Sequence, residues 1–303
     1  MKKIFLVMIL ITGLIYAQNT SNISSTGDDN IANVSQTGQN ISDILQLSNN
    51  STGTVVQNGQ NNKSDLDQKG GWPAGSKSLD EYAYIEQIGS GNQAQLWQLA
   101  DENTGSNIGN QNQNGDDNMA VAWQHTVNAD LDQDQIGSDN EARSYQTGFN
   151  GYVKQSQNGI QNIAAVDEQG GGGWVNGNSA VQIQEGNWNK SEISQYGTGG
   201  AKSAQGNIAN VSQYGSDNWA GEGLYSNGLF GIYQAGNYNI ANVTQNDNVN
   251  WSEVLQFGDG NNVSVTQNGG TGLFNSYGSY VNQSSVTQVG NDNNVVVNQT
   301  YQP

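Results

Sequence analysis

The sequence predicts an all-β fold in which a short strand-and-arc unit repeats along a β-solenoid. A pattern, Gln-x-Gly-x-x-Asn-x-(Ala/Ser/Val)-x-x-x-Gln, recurs with its two glutamines eleven residues apart. Within each unit the side chains alternate with period two, as in a strand with one buried face. The two prolines, Pro73 and Pro303, lie outside the repeats, as expected for strands paired on both edges. A stack of similar units therefore sets the fold.

The repeat keeps its register over most of the chain. The eight complete copies begin at Gln57, Gln87, Gln113, Gln135, Gln184, Gln234, Gln256 and Gln288. Two further copies, from Gln157 and Gln213, keep the glycine and the asparagine but lose the final glutamine. The hydrophobic share of 34% is low and alone would suggest disorder. A disordered chain has no reason to keep an eleven-residue register.

Each unit divides into a strand and an arc. In the copy at Gln87, Asn92, Ala94, Leu96 and Gln98 share one face of the strand. In the well-registered units the charged side chains fall on the other face: Lys63, Asp65, Asp67, Glu141, Arg143, Lys190, Glu192 and Glu253. The Asn-Ala-apolar-Gln face is therefore the predicted buried face.

The dimensions of the solenoid follow from these units. About seven residues make a strand of roughly 23 Å, and the remaining x-Gly-x-x makes the reversal, where glycine supplies a positive φ. The predicted turn glycines are Gly59, Gly89, Gly115, Gly137, Gly186, Gly236, Gly258 and Gly290. Two units close a strand-arc-strand rung of about 22 residues, and rungs stack about 4.8 Å apart in parallel. We expect about 11 rungs, two facing parallel sheets and a length of about 50 Å.

The amides on the buried face are predicted to form stacking ladders. A buried amide without a hydrogen bond costs about 1–3 kcal/mol. Stacked at equivalent positions, each amide donates to one neighbouring rung and accepts from the other. The predicted ladder residues are Gln57, Asn62, Gln68, Gln87, Asn92, Gln98, Gln113, Asn118, Gln124, Gln135, Asn140, Gln146, Gln184, Asn189, Gln195, Gln234, Asn239, Gln245, Gln256, Asn261, Gln267, Gln288, Asn293 and Gln299.

Composition indicates export. Residues 1–17 have the form of a signal peptide, with Lys2 and Lys3 before an apolar run and Ala17 before the expected cleavage. Residues 18–303 form one repeat array with glycine-rich insertions near 70–77, 170–177, 197–200 and 269–278. Without Lys2 and Lys3, 7 Lys and Arg stand against 27 Asp and Glu, a net charge of −20. Nucleic acid is a poor partner for that surface, and with no Cys the chain has no disulfide framework.

The repeats resemble the curlin repeat of curli-type bacterial amyloid fibres, Ser-x5-Gln-x-Gly-x-x-Asn-x-Ala-x3-Gln. The segments from Gln87 to Gln98 and from Gln234 to Gln245 fit its core. The resemblance covers nearly all of residues 18–303 and is specific because the motif repeats. The chain departs from the family in having about twice the usual number of repeats, in its glycine-rich insertions and in degenerate units such as Gln98 to Gln113.

The resemblance implies an extracellular protein that assembles with itself into fibres of biofilm matrix and adhesion material. It also implies a nucleator subunit and a curli-type outer-membrane export machinery as partners. We expect localisation outside the cell or at its surface, no enzymatic activity, no cofactor and no metal. Whether the chain is a major, minor or nucleator subunit stays open.

Alternative roles have weaker sequence signals. Asp-rich turns such as Asp116-Asp117 suit Ca²⁺ chemically but lack the spacing of calcium-binding solenoids, so we interpret them as turn residues. His125, the single histidine, is interpreted as a turn residue. The outward aromatics are interpreted as stacked or lateral contacts, with carbohydrate binding as the alternative: Trp97, Trp123, Tyr145 and Trp251. The rival hypotheses are a monomeric cell-surface β-solenoid adhesin that binds polysaccharide or another surface, and a polysaccharide-processing β-helix enzyme.

Overall fold

A computed structural model describes residues 18–69, 80–99, 106–168, 177–196, 206–220, 231–269 and 282–301. Within these ranges there is no helix, and the chain forms β-strands. In order they are β1 (Thr20–Ser25), β2 (Ile31–Leu47), β3 (Thr52–Lys69), β4 (Tyr82–Ser90), β5 (Gln93–Leu99), β6 (Ile108–Asp116), β7 (Met119–Val127), β8 (Asp130–Ser138), β9 (Glu141–Phe149), β10 (Tyr152–Ile160), β11 (Ile163–Glu168), β12 (Ser179–Asn187), β13 (Lys190–Tyr196), β14 (Ile208–Tyr214), β15 (Trp219–Ala220), β16 (Ile232–Ala235), β17 (Ile240–Asn246), β18 (Asn250–Phe257), β19 (Asn262–Asn268), β20 (Asn282–Val289) and β21 (Asn294–Thr300). The all-β prediction is confirmed.

All described strand pairings are parallel and connect equivalent positions of the repeat. Gln57 pairs with Gln87, and Gly59 pairs with Gly89. One series of pairings runs through β1, β2, β3, β5, β7, β9, β11, β13, β15 with β16, β18 and β20. We call this the first series. The second series runs through β2, β3, β4, β6, β8, β10, β12, β14, β17, β19 and β21.

The strands stack as coils of a β-solenoid, which confirms the predicted architecture at that level. The predicted count of about 11 rungs is not matched, since the described residues support about 7 turns. In several of the predicted rungs the segment joining the two series lies outside the described residues, at 70–79, 100–105, 169–176, 197–205 and 270–281. Residues 221–230, between β15 and β16 of the first series, also lie outside them. Two separate facing sheets are not confirmed either. The strands form one 21-stranded sheet, because β2 and β3 continue through an arc and take part in both series.

The strands extend further into the arcs than predicted. Many strands have nine residues rather than about seven, because they continue through the glycine. Gly137 has φ of 113°, and a Cβ at that position would lie 2.0 Å from the carbonyl oxygen of Gly159 in the next rung. Asp139, two residues later, adopts the left-handed conformation with φ of 56°. Only glycine fits the first position, while Asp and Asn are tolerated at the second.

The interior is packed by side chains from both series. Ala83, Ile85 and Gln87 alternate with more exposed residues along β4, and the apolar cluster extends through equivalent positions of nearly every strand. A Cβ on Gly53 would lie 2.8 Å from Leu66 Cδ2, so a small residue of one series accommodates a large residue of the other. Each fully buried Leu or Ile stabilises the fold by about 1.5–3 kcal/mol.

Several sequence predictions fall outside the described residues. The predicted signal peptide, residues 1–17, is one of them. The predicted insertions also lie there, apart from Gly177 and Gly269.

Candidate assembly interface

A continuous glutamine ladder runs along the second series. In each step the Nε2 of one glutamine donates to the Oε1 of its equivalent in the next rung, at 2.7–2.9 Å. The members are Gln36, Gln57, Gln87, Gln113, Gln135, Gln157, Gln184, Gln213, Gln245, Gln267 and Gln299. The repeat pattern did not single out Gln36, and it scored the copies at Gln157 and Gln213 as degenerate. All three keep their place in the ladder.

The glutamine ladder of the first series has two sections. One contains Gln46, Gln68, Gln98, Gln124 and Gln146. The other contains Gln195, Gln234, Gln256 and Gln288. Between them the backbone register places Glu168 beside Gln146.

The second N–H of these glutamine amides crosses the interior. Gln87 Nε2 donates to the Lys63 carbonyl oxygen at 3.0 Å, and Gln135 Nε2 donates to the Met119 carbonyl oxygen at 3.0 Å. The acceptors belong to the opposite series: Met119 begins β7, and Lys63 lies within β3 where the pairing with β5 begins. These bonds satisfy both N–H groups of a buried amide and tie the two series together. The repeat spacing alone did not predict them.

The asparagine ladders point the opposite way. Asn118 Nδ2 donates to Oδ1 of Asn92 in the preceding rung at 3.1 Å, and the Asn118 backbone N–H donates to the same oxygen at 3.0 Å. The Asn118 amide also donates to the Gly137 carbonyl oxygen at 2.8 Å in the next rung. Equivalent side-chain bonds connect Asn62, Asn140, Asn250, Asn261, Asn282 and Asn293 to the preceding rung. Asn189 and Asn239 bond the preceding rung through the backbone N–H.

Burial places the predicted ladder residues in the interior. Of the predicted set, all are at most 3% exposed except Asn293 and Gln299, which are half-buried in the last described rung. The predicted turn glycines lie in the arcs, and each has a positive φ.

A further internal ladder was missed by the sequence analysis. Gln111, Gln133, Gln155 and Gln182 are fully buried and bond each other at 2.7–2.9 Å. They occupy the position that Val or Ile fills in other rungs of the second series. Gln at the second position before the motif glutamine, in four successive units of this series, is the signal that would have found them.

The carboxyl group of Glu81 also lies inside. Glu81 is 1% exposed and occupies the position of Asn107 in the next rung of the second series. The prediction that charges stay on the outer face was restricted to well-registered units, and Glu81 precedes the copy at Gln87.

The solenoid's described ends carry the same core and ladders to the surface. At one end are β1 and residues 31–39 of β2, and at the other end are β20 and β21. Ala32, Val34, Val295 and Val297 pack against the core and remain partly exposed. No described strand pairs with the outer edge of these four segments. None of them contains Asp, Glu, Lys or Arg.

The charged side chains lie mainly on the outer face of inner rungs. Lys154 Nζ lies 3.1 Å from Asp132 Oδ2, and Lys69 Nζ lies 2.6 Å from Asp67 Oδ2. Such exposed pairs contribute little to stability. Their value lies in keeping this face soluble.

An acidic group with an altered pKa lies on the outer face of the first series. Burial, followed by the neighbouring charge of Asp167, raises the pKa of Glu192 to about 6. Tyr196 donates a 2.9 Å hydrogen bond to Asp167 Oδ2, and its ring stacks on Tyr233 with centroids 5.3 Å apart. Burial also raises the pKa of Tyr233.

The outward aromatics on three rungs form a stack. The ring centroids of Trp97 and Trp123 are 4.4 Å apart, and those of Trp123 and Tyr145 are 5.9 Å apart. The ring planes are tilted by 44° and 50° to each other, an arrangement typical of aromatic side chains in contact. Trp251 pairs with Trp219 through the backbone. His125 lies within β7 and is exposed, so its interpretation as a turn residue is wrong.

The described residues contain no group of three or more His, Cys, Asp or Glu side chains able to hold a metal ion. Nor do they include a helix of the length and apolarity that crossing a membrane requires.

Comparison with known proteins assigns no family, since neither a family model nor a curated protein matches this chain.

Proposed function

We propose that this chain is an extracellular structural subunit that assembles end to end into curli-like amyloid fibres, which serve as biofilm matrix and adhesion material. The observation that carries the proposal is the set of four uncharged end segments, β1 with residues 31–39 of β2 at one end and β20 with β21 at the other. The core side chains Val34 and Val297 are partly exposed there. They occupy the same position in the repeat as the buried core side chains of the inner rungs. Another copy stacked on either end would cover them.

Templated strand addition is the mechanism. An end strand offers backbone N–H and C=O groups to a further parallel strand. The inner rungs supply the template, because each already pairs with an equivalent neighbour in register. Burial of Val297 by the next copy would contribute about 1.5–3 kcal/mol, to which the amide ladders add specificity.

We further propose a full array of about 11 rungs, with the two series as facing walls of the coil. Support comes from the unbroken order of parallel pairings in each series. The contact between the Gly53 position and Leu66 across the interior is consistent with facing walls.

Export is part of the proposal. The apolar leader at residues 1–17 favours a secreted, extracellular or surface-bound protein. A nucleator subunit and an outer-membrane curli-type export machinery are the partners proposed from the repeat resemblance. The role is structural rather than catalytic, and nucleic acid is not proposed as a partner because the net charge is negative.

The proposal is tested by comparing two valine substitutions in β21. Val297→Asp places a carboxylate on the uncovered core, where burial by another copy would cost several kcal/mol. Val296→Asp is the matched control, because Val296 faces outward and is 62% exposed. We expect fibres by thioflavin T fluorescence and electron microscopy for wild type and Val296→Asp, and strongly slowed growth for Val297→Asp.

Equal fibre growth by both variants would contradict assembly through this end. A wild-type chain that stays monomeric, even with added fibre fragments, would instead favour the rival cell-surface solenoid. Binding to surface polysaccharide would then be the next measurement.

A further inference from the structure

We infer that the joint between subunits is polar and head-to-tail, with β20 and β21 of one copy against β1 and β2 of the next. This inference rests on the proposed function and specifies the surface that a second copy of this chain fits. It comes from the direction of the hydrogen bonds inside the molecule.

The glutamine ladder gives the two ends opposite chemistry. Inside the molecule, each Nε2 bonds both the opposite strand and the next rung. Among the described residues, Gln299 Nε2 bonds only across the interior, to the Gln283 carbonyl oxygen at 2.7 Å. At the other end, Gln36 Oε1 has no hydrogen-bond partner within the described part of the chain. One end therefore carries a free donor and the other a free acceptor, at equivalent positions of the repeat.

The asparagine ladder also makes the two ends complementary, but here the acceptor lies at the β21 end and the donor at the β2 end. Asn261 Oδ1 accepts from the backbone N–H and the side-chain amide of Asn293. Asn293 is the last in that series, and none of the described residues donates to its Oδ1. The equivalent residue at the other end is Asn30, whose Oδ1 accepts from the Ser51 backbone N–H. In a head-to-tail joint, the Asn30 backbone N–H donates to Asn293 Oδ1 of the preceding copy.

The apolar side chains match in the same register. With Gln299 beside Gln36, Val297 lies beside Val34 and Val295 beside Ala32. Strand β20 then lies along β1, with Val286 beside Ile23, which is 47% exposed. Gly290 also fits, because among the described residues a Cβ there would have only Asn293 Nδ2 nearby, at 3.7 Å, whereas its equivalents Gly236 and Gly258 each abut the glycine carbonyl of the next rung.

A two-fold joint lacks this complementarity. Two copies meeting through β21 and β21 would set donor against donor and would run the strands antiparallel. All described pairings inside the molecule are parallel. A heterologous contact also propagates without closing, as a fibre requires.

The test uses cysteine cross-linking in the full chain, which contains no natural Cys. Ser35 and Asn298 are exposed, outward-facing and equivalent in the repeat. Across the inferred joint their Cα atoms would be about 4.8 Å apart, within disulfide range. Fibres are grown from Ser35→Cys alone, from Asn298→Cys alone and from an equal mixture, then oxidised, denatured and analysed on non-reducing gels.

The head-to-tail joint predicts covalent dimers from the mixture and only monomers from either variant alone. The double variant is expected to give a series of covalent multimers. Pairing Ser35→Cys with Thr300→Cys, which shifts the register by two residues, is expected to cross-link far less. Dimers from a single variant would overturn the inference in favour of a two-fold joint.

Fibres that cross-link in none of these combinations would also overturn it. Absence of fibres in wild type and in every variant would instead count against the proposed function, so the two failures are distinguishable.

Discussion

At the scale of single residues, the arcs require glycine for two separate reasons, a positive φ and the closeness of the next rung. Gly137 combines φ of 113° with a neighbouring backbone carbonyl 2.0 Å from the site of a Cβ. Gly177 has φ of 65°, but no atom of the described residues lies within 4 Å of its Cβ site. The two positions therefore separate backbone conformation from crowding.

Alanine substitutions test this separation. Gly177→Ala should cost about 1–2 kcal/mol, the penalty of a left-handed backbone for a residue with a Cβ. Gly137→Ala should cost clearly more, because the Gly159 carbonyl would have to move. Thermal or denaturant unfolding of both variants measures the difference. Equal losses would show that crowding between rungs is unimportant.

The buried glutamine amides are the second feature at the scale of single residues, and their lack of charge is important for stability. Gln135 is 1% exposed, accepts from Gln113 and donates to Gln157. A carboxylate there could not donate, and its burial would raise its pKa.

Gln135→Glu should therefore destabilise the solenoid at pH 7 by several kcal/mol. The folded-state pKa of the new carboxyl would lie above its unfolded value of about 4.3, so most of the loss should disappear below about pH 4 and return as pH rises through the folded pKa. One N–H donor stays missing at every pH, because a protonated carboxyl has a single O–H. Asn158→Asp is the control, because it adds the same charge at an exposed position of the next rung, directly after Gln157. Equal pH profiles of unfolding for the two variants would contradict the ladder account.

At the scale of secondary-structure elements, acidic side chains of neighbouring strands lie close enough to affect each other's pKa. Glu192 in β13 has a pKa raised to about 6 by burial and by Asp167 in β11. Folding therefore favours the protonated carboxyl group of Glu192. Its contribution to stability is complete below about pH 4.5 and is lost as pH rises through about 6.

Its contribution is up to about 2 kcal/mol before solvent screening, which lowers it for a partly exposed group. Glu192→Gln should flatten the dependence of unfolding free energy on pH across this window. An unchanged profile would show that another group causes it.

Strands and arcs were predictable because the same side-chain pattern recurs with a fixed spacing. The nine-residue length of the strands was not predictable, because glycine in this pattern indicates a turn. Gly89 and Gly115 nevertheless remain in strands, with a positive φ. The ladder from Gln111 to Gln182 was missed because the repeat pattern leaves the position two residues before its final glutamine unspecified. The cross-interior bonds depend on coil geometry, which spacing alone does not give.

Charge acts at the scale of the whole molecule. After removal of the predicted signal peptide, the net charge is −20. The head-to-tail joint would also bring Asp292 beside Asp29, which occupies the equivalent arc position with nearly the same φ. Both effects oppose association at low ionic strength and are screened by salt.

Fibre growth should therefore accelerate with sodium chloride. Asp292→Asn should weaken this salt dependence more than Asp139→Asn, which removes one charge from an inner arc without touching the joint. Thioflavin T kinetics across a salt series provide the measurement. Growth that is constant or slower with added salt would contradict the electrostatic argument.

The central claim is that the molecule's own stacking continues from one copy to the next. X-ray diffraction from aligned fibres of the wild-type chain tests it most directly, because parallel strands across the fibre axis give a meridional reflection near 4.7–4.8 Å. We predict that reflection, continuous with the rung spacing inside each subunit. A chain that stays monomeric under assembly conditions, or fibres without that reflection, would contradict the account.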